Sequence, residues 1–124
     1  MLENIFRLDK KIIVITGASG LLGRMHAEAI ACYGGVPILL DLSQQAVNDL
    51  AHDLNIKYNT GAVGFSIDIT NEEEIKDNAG QLIEHFGKID GLINNAANNP
   101  KVEKSNETNF SRLENFSHNE WNQD

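Results

Sequence analysis

The stretch that decides the fold is KIIVITGASGLLGRMHAEAIACYGG, residues 11–35. It opens with a run of Ile and Val residues in which polar and apolar positions do not alternate, a pattern typical of a strand covered on both faces in a parallel sheet. Three glycines at equal spacing then follow, at Gly17, Gly20 and Gly23. We therefore expect a buried strand over residues 11–16, then a glycine turn, then a helix.

The helix after this turn is predicted from Leu21 to Tyr33, and two glycines at 34 and 35 supply its stop. Its apolar residues at helical spacing are Leu22, Met25, Ala29 and Cys32. We expect this face to pack, with Cys32 as a small buried apolar residue rather than a reactive thiol.

The rest of the chain continues the alternation of strands and helices. The predicted elements are a strand at 36–40 that ends on Asp41, a helix capped by Ser43 that reaches Leu54, a strand at 61–68, a helix from a capping box at 70–73 to Phe86 with a stop at Gly87, and a strand at 89–94. Right-handed crossovers between such elements give a doubly wound α/β fold of Rossmann type. We predict a parallel sheet of four strands in a three-layer αβα arrangement.

Composition narrows the function classes. The chain has 124 residues, the size of one domain, and a formal net charge of −8, which opposes binding to nucleic acid or to an anionic membrane. One cysteine and an N-terminus without a signal pattern favour a cytoplasmic location. The four histidines are scattered without metal-ligand spacing, so we expect no metal site.

The glycine turn suits an anionic ligand. Without Cβ atoms the backbone can approach a ligand closely, and the N–H groups and dipole at a helix start favour a phosphate. Asp41 ends the second strand about 20 residues beyond the glycines, where an acid accepts hydrogen bonds from a ribose. Asp41 would repel a 2′-phosphate, so the pattern favours NAD(H) over NADP(H). The alternatives are a tight turn without a ligand, and an Asp41 that only precedes the next helix.

Three motifs together resemble the short-chain dehydrogenase/reductase family. They are TGASGLLG at 16–23, DIT at 68–70 and NNAA at 94–97, and Trp121 lies where many members carry Trp. The resemblance implies that Asp68 and Ile69 contact the adenine, and that Asn94 and Ala96 line the adenosine side. The full set of expected NAD-binding residues is Gly17, Ser19, Gly20, Leu22, Gly23, Asp41, Asp68, Ile69, Asn94 and Ala96.

The motifs depart from the family pattern at two positions. The family's commonest spacing has its middle glycine at position 21, whereas Gly20 matches the extended branch that acts on nucleotide-linked sugars. NNAA leans toward the commonest branch, although Ala97 replaces a glycine. The glycine spacing therefore leaves open an extended-type sugar-nucleotide epimerase or dehydratase. A separate alternative is a stand-alone nucleotide-binding regulatory module that uses the adenosine site without redox chemistry.

The family's hydride transfer to or from an alcohol or carbonyl substrate uses a Ser and a Tyr-x-x-x-Lys, for which this chain offers no matching positions. Tyr33 and Tyr58 lack a Lys at that spacing, so no catalytic residue is assigned. After an Asn-rich loop at 96–116, a capping box at 117–120 starts a helix close to the last residue. We therefore expect a truncated, inactive NAD-binding part of a single-domain oxidoreductase. A sugar is the expected substrate class, and the whole enzyme is expected to be a homo-oligomer.

Overall fold

The computed structural model describes residues 2–97, in which a parallel sheet lies between helices. The elements are α1 Leu2–Ile5, β1 Ile12–Thr16, α2 Leu21–Cys32, β2 Val36–Asp41, α3 Gln44–Tyr58, β3 Val63–Ser66, α4 Glu72–Phe86 and β4 Gly91–Ile93. The predicted Asn-rich loop beyond Ala97, the capping box at 117–120 and Trp121 lie outside the described residues. The prediction of a doubly wound α/β fold with four strands is confirmed.

The sheet has the strand order β3-β2-β1-β4. β1 pairs with β2 from Ile12 opposite Val36 to Thr16 opposite Leu40, and β4 lies on the other side of β1. All these pairings are parallel, so the carboxyl ends of the strands meet at one edge of the sheet. This edge receives the glycine turn, Asp41 and the segment after β4.

Each face of the sheet has its own core. Ile15 and Leu39 pack with residues of α2 and α3, whereas Val14 and Ile38 pack with Leu82 of α4. Helices therefore cover both faces, which makes the three layers predicted from the sequence.

The predicted packing face of α2 is wrong. Leu22 is 60% exposed and Met25 is 63% exposed, and Cys32 is exposed as well. The buried residues of α2 are Gly23, Ala27, Ile30 and Ala31. The helix carries two apolar stripes, and the one with the smaller side chains packs because α2 lies close to the glycine turn. A Cβ on Gly23 would overlap the backbone of Gly17 and Ala18.

The start of α4 also differs from the prediction. Asn71, not Thr70, is the N-cap, and its side-chain oxygen accepts hydrogen bonds from the N–H groups of Glu73 and Glu74. The Thr70 hydroxyl instead donates to Oδ1 of Asp68 at 2.6 Å. Thr70 is thus engaged by the preceding turn, and the cap passes to the next residue. The predicted stop at Gly87 is confirmed, with φ of 80°.

The helix α3 runs one turn beyond the predicted end at Leu54, as far as Tyr58. Lys57 and the Tyr58 hydroxyl both contact Oε1 of Glu28 on α2, the hydroxyl at 2.8 Å. Asn59 then ends the helix in the left-handed conformation, with φ of 51°. These contacts to α2 are tertiary, so the periodicity of α3 alone did not reveal the extra turn.

Candidate cofactor-binding site

The glycine turn lies against the segment that follows β4. Gly17 has a φ of 62°, and a Cβ there would lie 2.8 Å from the Cα of Ala96. Any larger residue at position 17 would therefore meet both backbone strain and a clash. Close approach of two backbone segments, rather than turn geometry alone, explains the glycine at this position.

Thr16 joins the ends of β1 and β4. Its Oγ1 accepts hydrogen bonds from the N–H groups of Asn95, at 3.1 Å, and Ala96, at 3.0 Å. The side-chain Nδ2 of Asn95 also donates to the carbonyl oxygen of Gly17, at 3.1 Å. The sequence reasoning missed Thr16 and Asn95. The available signal was a Thr at the end of a buried strand, because a buried hydroxyl needs partners.

Asp41 is held by the glycine turn. Its Oδ2 accepts hydrogen bonds from the Ser19 hydroxyl, at 2.5 Å, and the Ser19 N–H, at 3.0 Å. Its Oδ1 accepts one from the Leu42 N–H at 2.8 Å. Partial burial raises the pKa of Asp41, but the hydrogen bonds from Ser19 and Leu42 outweigh it and leave this pKa below its ordinary value.

Asp68 organises the turn before α4. Its Oδ1 accepts hydrogen bonds from the hydroxyl and the N–H of Thr70, and its own N–H donates to Glu74 at 2.8 Å. The hydrogen bond from the Thr70 hydroxyl, followed by that from the N–H, lowers the pKa of Asp68. The residue is therefore ionised near neutral pH and partly engaged by its own turn.

A cavity of about 690 Å³ opens at the carboxyl edge of the sheet. The predicted site residues that line it are Gly17, Gly20, Leu22, Asp41, Asp68, Ile69 and Ala96. Leu42 and Ile67 add apolar wall next to the two carboxylates. The strand ends thus bring most of the predicted residues together around one space.

Three predicted residues are placed differently. Ser19 contacts Asp41, and Gly23 packs beneath the turn, but neither is among the residues that line the cavity. Asn94 lines a separate groove on the α4 face, and Asn95 lies at the cavity instead. Successive residues of an extended segment point to opposite faces, so a doublet of Asn residues divides between the two sides.

The first turn of α2 has no side-chain cap. Its N-cap is Gly20, whereas Ser43 and Asn71 cap α3 and α4 with side-chain oxygens. Uncapped N–H groups at a helix start are free to bind an anion. Because Gly20 and Leu21 line the cavity, this end of α2 faces the same space as Asp41.

Residues 2–97 offer neither a metal site nor a membrane-spanning helix. No group of three or more His, Cys, Asp or Glu side chains is arranged there to hold a metal ion. No helix in that range combines the length and the apolar character that crossing a bilayer requires. Neither Tyr33 nor Tyr58 lines the cavity.

The parallel sheet, the glycine turn and the strand-end carboxylates define a doubly wound α/β protein, in which ligands gather at the carboxyl ends of the strands. A sequence profile described as short chain dehydrogenase matches residues 11–123. The chain belongs to the short-chain dehydrogenase/reductase family.

Individual relatives agree with this assignment. Trans-4-hydroxycyclohexanecarboxylate dehydrogenase of Sinomonas cyclohexanicum is 33% identical over 95 residues, which cover 73% of this chain and 37% of that enzyme. The crystal structure of an NAD⁺-bound xylitol dehydrogenase is 28% identical with a TM-score of 0.67, over 73% of this chain and 35% of that one. The chain thus spans little more than a third of the length of these relatives.

A more distant structure shows the fold alone. The L-sorbose reductase of Gluconobacter frateurii, complexed with NADPH and L-sorbose, is 22% identical with a TM-score of 0.76, over 94% of this chain and 41% of that one. The solved structures with this fold thus include one that holds NAD⁺ and one that holds NADPH.

Proposed function

We propose that this chain is the NAD-binding portion of a short-chain oxidoreductase. In the whole protein, the bound nicotinamide gives or accepts a hydride and the substrate is an alcohol or a carbonyl compound. The observation that carries the proposal is the shared cavity of the uncapped α2 start and Asp41. The start of α2 can bind an anion such as the pyrophosphate of a dinucleotide, and Asp41 can accept hydrogen bonds from the hydroxyls of its ribose.

The pyrophosphate would lie at the glycine turn. Gly17 and Gly20 line the cavity without side chains that would fill it, and the first N–H groups of α2 are free of a side-chain cap. Gly23 lets the helix approach the turn closely, which brings these N–H groups toward the sheet edge. The backbone of this chain therefore suits a phosphate without needing a lysine or an arginine.

The adenosine would lie between β2 and the turn after β3. Asp41 would accept hydrogen bonds from the ribose, while Leu42, Ile67 and Ile69 provide apolar wall for the adenine. Asp68 would accept a hydrogen bond from the adenine amino group, and Ala96 would close the opposite side. In this arrangement Asn95, rather than Asn94, is the amide nearest the cofactor.

NAD(H) rather than NADP(H) is the proposed cofactor. Among residues 4–97, whose side chains are described, no Lys or Arg lines the cavity or forms an ion pair with Asp41. A 2′-phosphate would therefore meet an ionised carboxylate without a compensating cation. The 28% identical xylitol dehydrogenase, whose structure holds NAD⁺, supports the same choice.

We further propose a substrate class, a location and an assembly for the whole protein. A sugar or polyol is the proposed substrate class, because one relative is a xylitol dehydrogenase. We place the protein in the cytoplasm, since its free and exposed Cys32 suits a reducing compartment. A homo-oligomer is the proposed assembly of the whole enzyme.

The test is a fluorescence titration of the 124-residue chain with NADH and with NADPH. We expect NADH to bind at least about tenfold more tightly, since removing one charge repulsion at short range is worth that much. Asp41→Asn should reduce this preference about tenfold, because it removes that repulsion. Asp49→Asn is the matched control, because Asp49 lies on α3 and pairs with Gln45 outside the cavity. Equal binding of the two nucleotides, or no binding of either, would contradict the proposal.

A further inference from the structure

The Ser19 side chain is hydrogen-bonded to the Asp41 carboxylate, which the ribose of the cofactor would also contact. Ser19 donates both its hydroxyl and its N–H to Oδ2 of Asp41, at 2.5 and 3.0 Å. An adjacent backbone bond, from the Ala18 N–H to the carbonyl oxygen of Leu40 at 3.1 Å, ties the same turn to the end of β2. The turn and the carboxylate are therefore joined as one unit.

The Asp41 carboxylate has few hydrogen-bond acceptor positions left for a ligand. An ionised carboxylate has about four positions that accept hydrogen bonds. Ser19 takes two of them and the Leu42 N–H takes a third. About one position remains for a group in the cavity, and that group must be a donor. A ribose hydroxyl is a donor, whereas an ionised phosphate has only acceptors.

The same contacts prevent the carboxylate from turning away. Both oxygens of Asp41 are anchored, Oδ2 by Ser19 and Oδ1 by Leu42. The Ser19 carbonyl oxygen in turn accepts a hydrogen bond from Nε of Arg24 at 2.9 Å, which holds the turn from its other side. A carboxylate free to rotate could move aside for a 2′-phosphate, but this one is held in place.

We infer that Ser19 is a positioning residue that makes the cavity selective for an unphosphorylated ribose, by fixing the Asp41 carboxylate and leaving it one acceptor position. The inference rests on the proposed function. It assigns the selectivity to a pair of residues instead of to Asp41 alone.

The test compares Ser19→Ala with the wild-type chain in titrations with NADH and NADPH. Loss of the Ser19 hydroxyl removes one anchor of the Asp41 carboxylate but keeps its charge. We therefore expect the preference for NADH to fall about threefold, less than in Asp41→Asn, mainly through tighter binding of NADPH. A merely structural role would weaken both nucleotides equally and leave the ratio unchanged. Ser19→Thr keeps the hydroxyl and should restore the wild-type ratio.

Ser66→Ala is the matched control. The Ser66 hydroxyl donates to the Leu42 carbonyl oxygen at 2.8 Å, next to Asp41 in the sheet, but it does not touch the carboxylate. Its selectivity ratio should equal that of the wild type. A Ser19→Ala chain with an unchanged ratio would overturn the inference while leaving the proposed function intact. If the wild-type chain binds neither nucleotide, the proposed function itself fails.

Discussion

The two faces of the sheet differ in how completely they are covered. On the α2–α3 face, Leu39 and Val47 are fully buried in a core to which both helices contribute. On the α4 face, Leu92 in the middle of β4 is 57% exposed, although it lies opposite the buried Val14. The core on the α2–α3 face is therefore fully covered, whereas the core on the α4 face is partly exposed.

Chain direction explains the difference. From β1 to β3 the chain moves one way across the sheet, and from β3 to β4 it returns past β1. Right-handed crossovers then place α2 and α3 on one face and α4 on the opposite one. A groove of about 320 Å³ remains on the α4 face, lined in part by Ile75, Asn78 and Leu92.

The candidate site depends mostly on the better-covered face. Ser19 and Asp41 belong to the turn and strand that pack with α2 and α3, whereas Asp68 is exposed and held by its own turn. Stability varies within a protein according to the local density of buried contacts. We therefore expect the ribose-binding side of the cavity to be more rigid than the adenine-binding side.

The largest expected effect concerns matched leucine truncations on the two faces. Leu39→Ala should lower the free energy of unfolding by about 3 kcal/mol, because it opens a cavity in a filled core. Leu92→Ala should cost less than about 1 kcal/mol, because the side chain is already largely exposed. Urea unfolding of both variants measures the difference. Equal losses would show that the two faces are equally packed in solution.

A second prediction compares a buried asparagine with a half-buried one. Asn78 on α4 is 4% exposed, and its Nδ2 has no hydrogen-bond partner within the described part of the chain. Asn55 on α3 exchanges two hydrogen bonds with the backbone of Ala62, at 2.9 and 2.7 Å. Asn78→Leu should therefore stabilise the chain by about 1 kcal/mol, whereas Asn55→Leu should destabilise it by about 2 kcal/mol. Opposite signs in thermal melts confirm the contrast, and a loss of stability in both variants contradicts it.

The smallest expected effect is the pH dependence of stability. Hydrogen bonds lower the folded-state pKa of Asp41 below that of the unfolded chain, which is about 3.9. The resulting stabilisation is present above that pH and disappears as the pH falls through the folded value. Asp41→Asn should thus flatten the fall in melting temperature between about pH 4 and pH 2. Asp68→Asn, on the less covered side, should flatten it less. An identical slope in all three proteins would show that neither carboxylate contributes.

The order and type of the main elements were predictable because each strand and helix carries its own periodicity and stop signal. The buried face of α2 was not predictable, because that helix carries two apolar stripes. The close packing of α2 against the glycine turn decides which stripe is buried. The N-cap of α4 was predicted at Thr70 but lies at Asn71 for a related reason. Asp68 engages the Thr70 hydroxyl, and that hydrogen bond depends on how the preceding turn folds.

The candidate site also has features that the sequence predicts and features that depend on the tertiary structure. By itself the sequence determined that the glycine turn, Asp41 and Asp68 reach one cavity, because the carboxyl ends of parallel strands meet at one edge of the sheet. Only the tertiary structure decided which of those groups contact one another: Ser19 with Asp41, Thr16 with Asn95, and Asn94 turned to the opposite face. Periodicity is local and can be read along the chain, whereas hydrogen bonds between distant residues depend on distances that exist only after the sheet has formed.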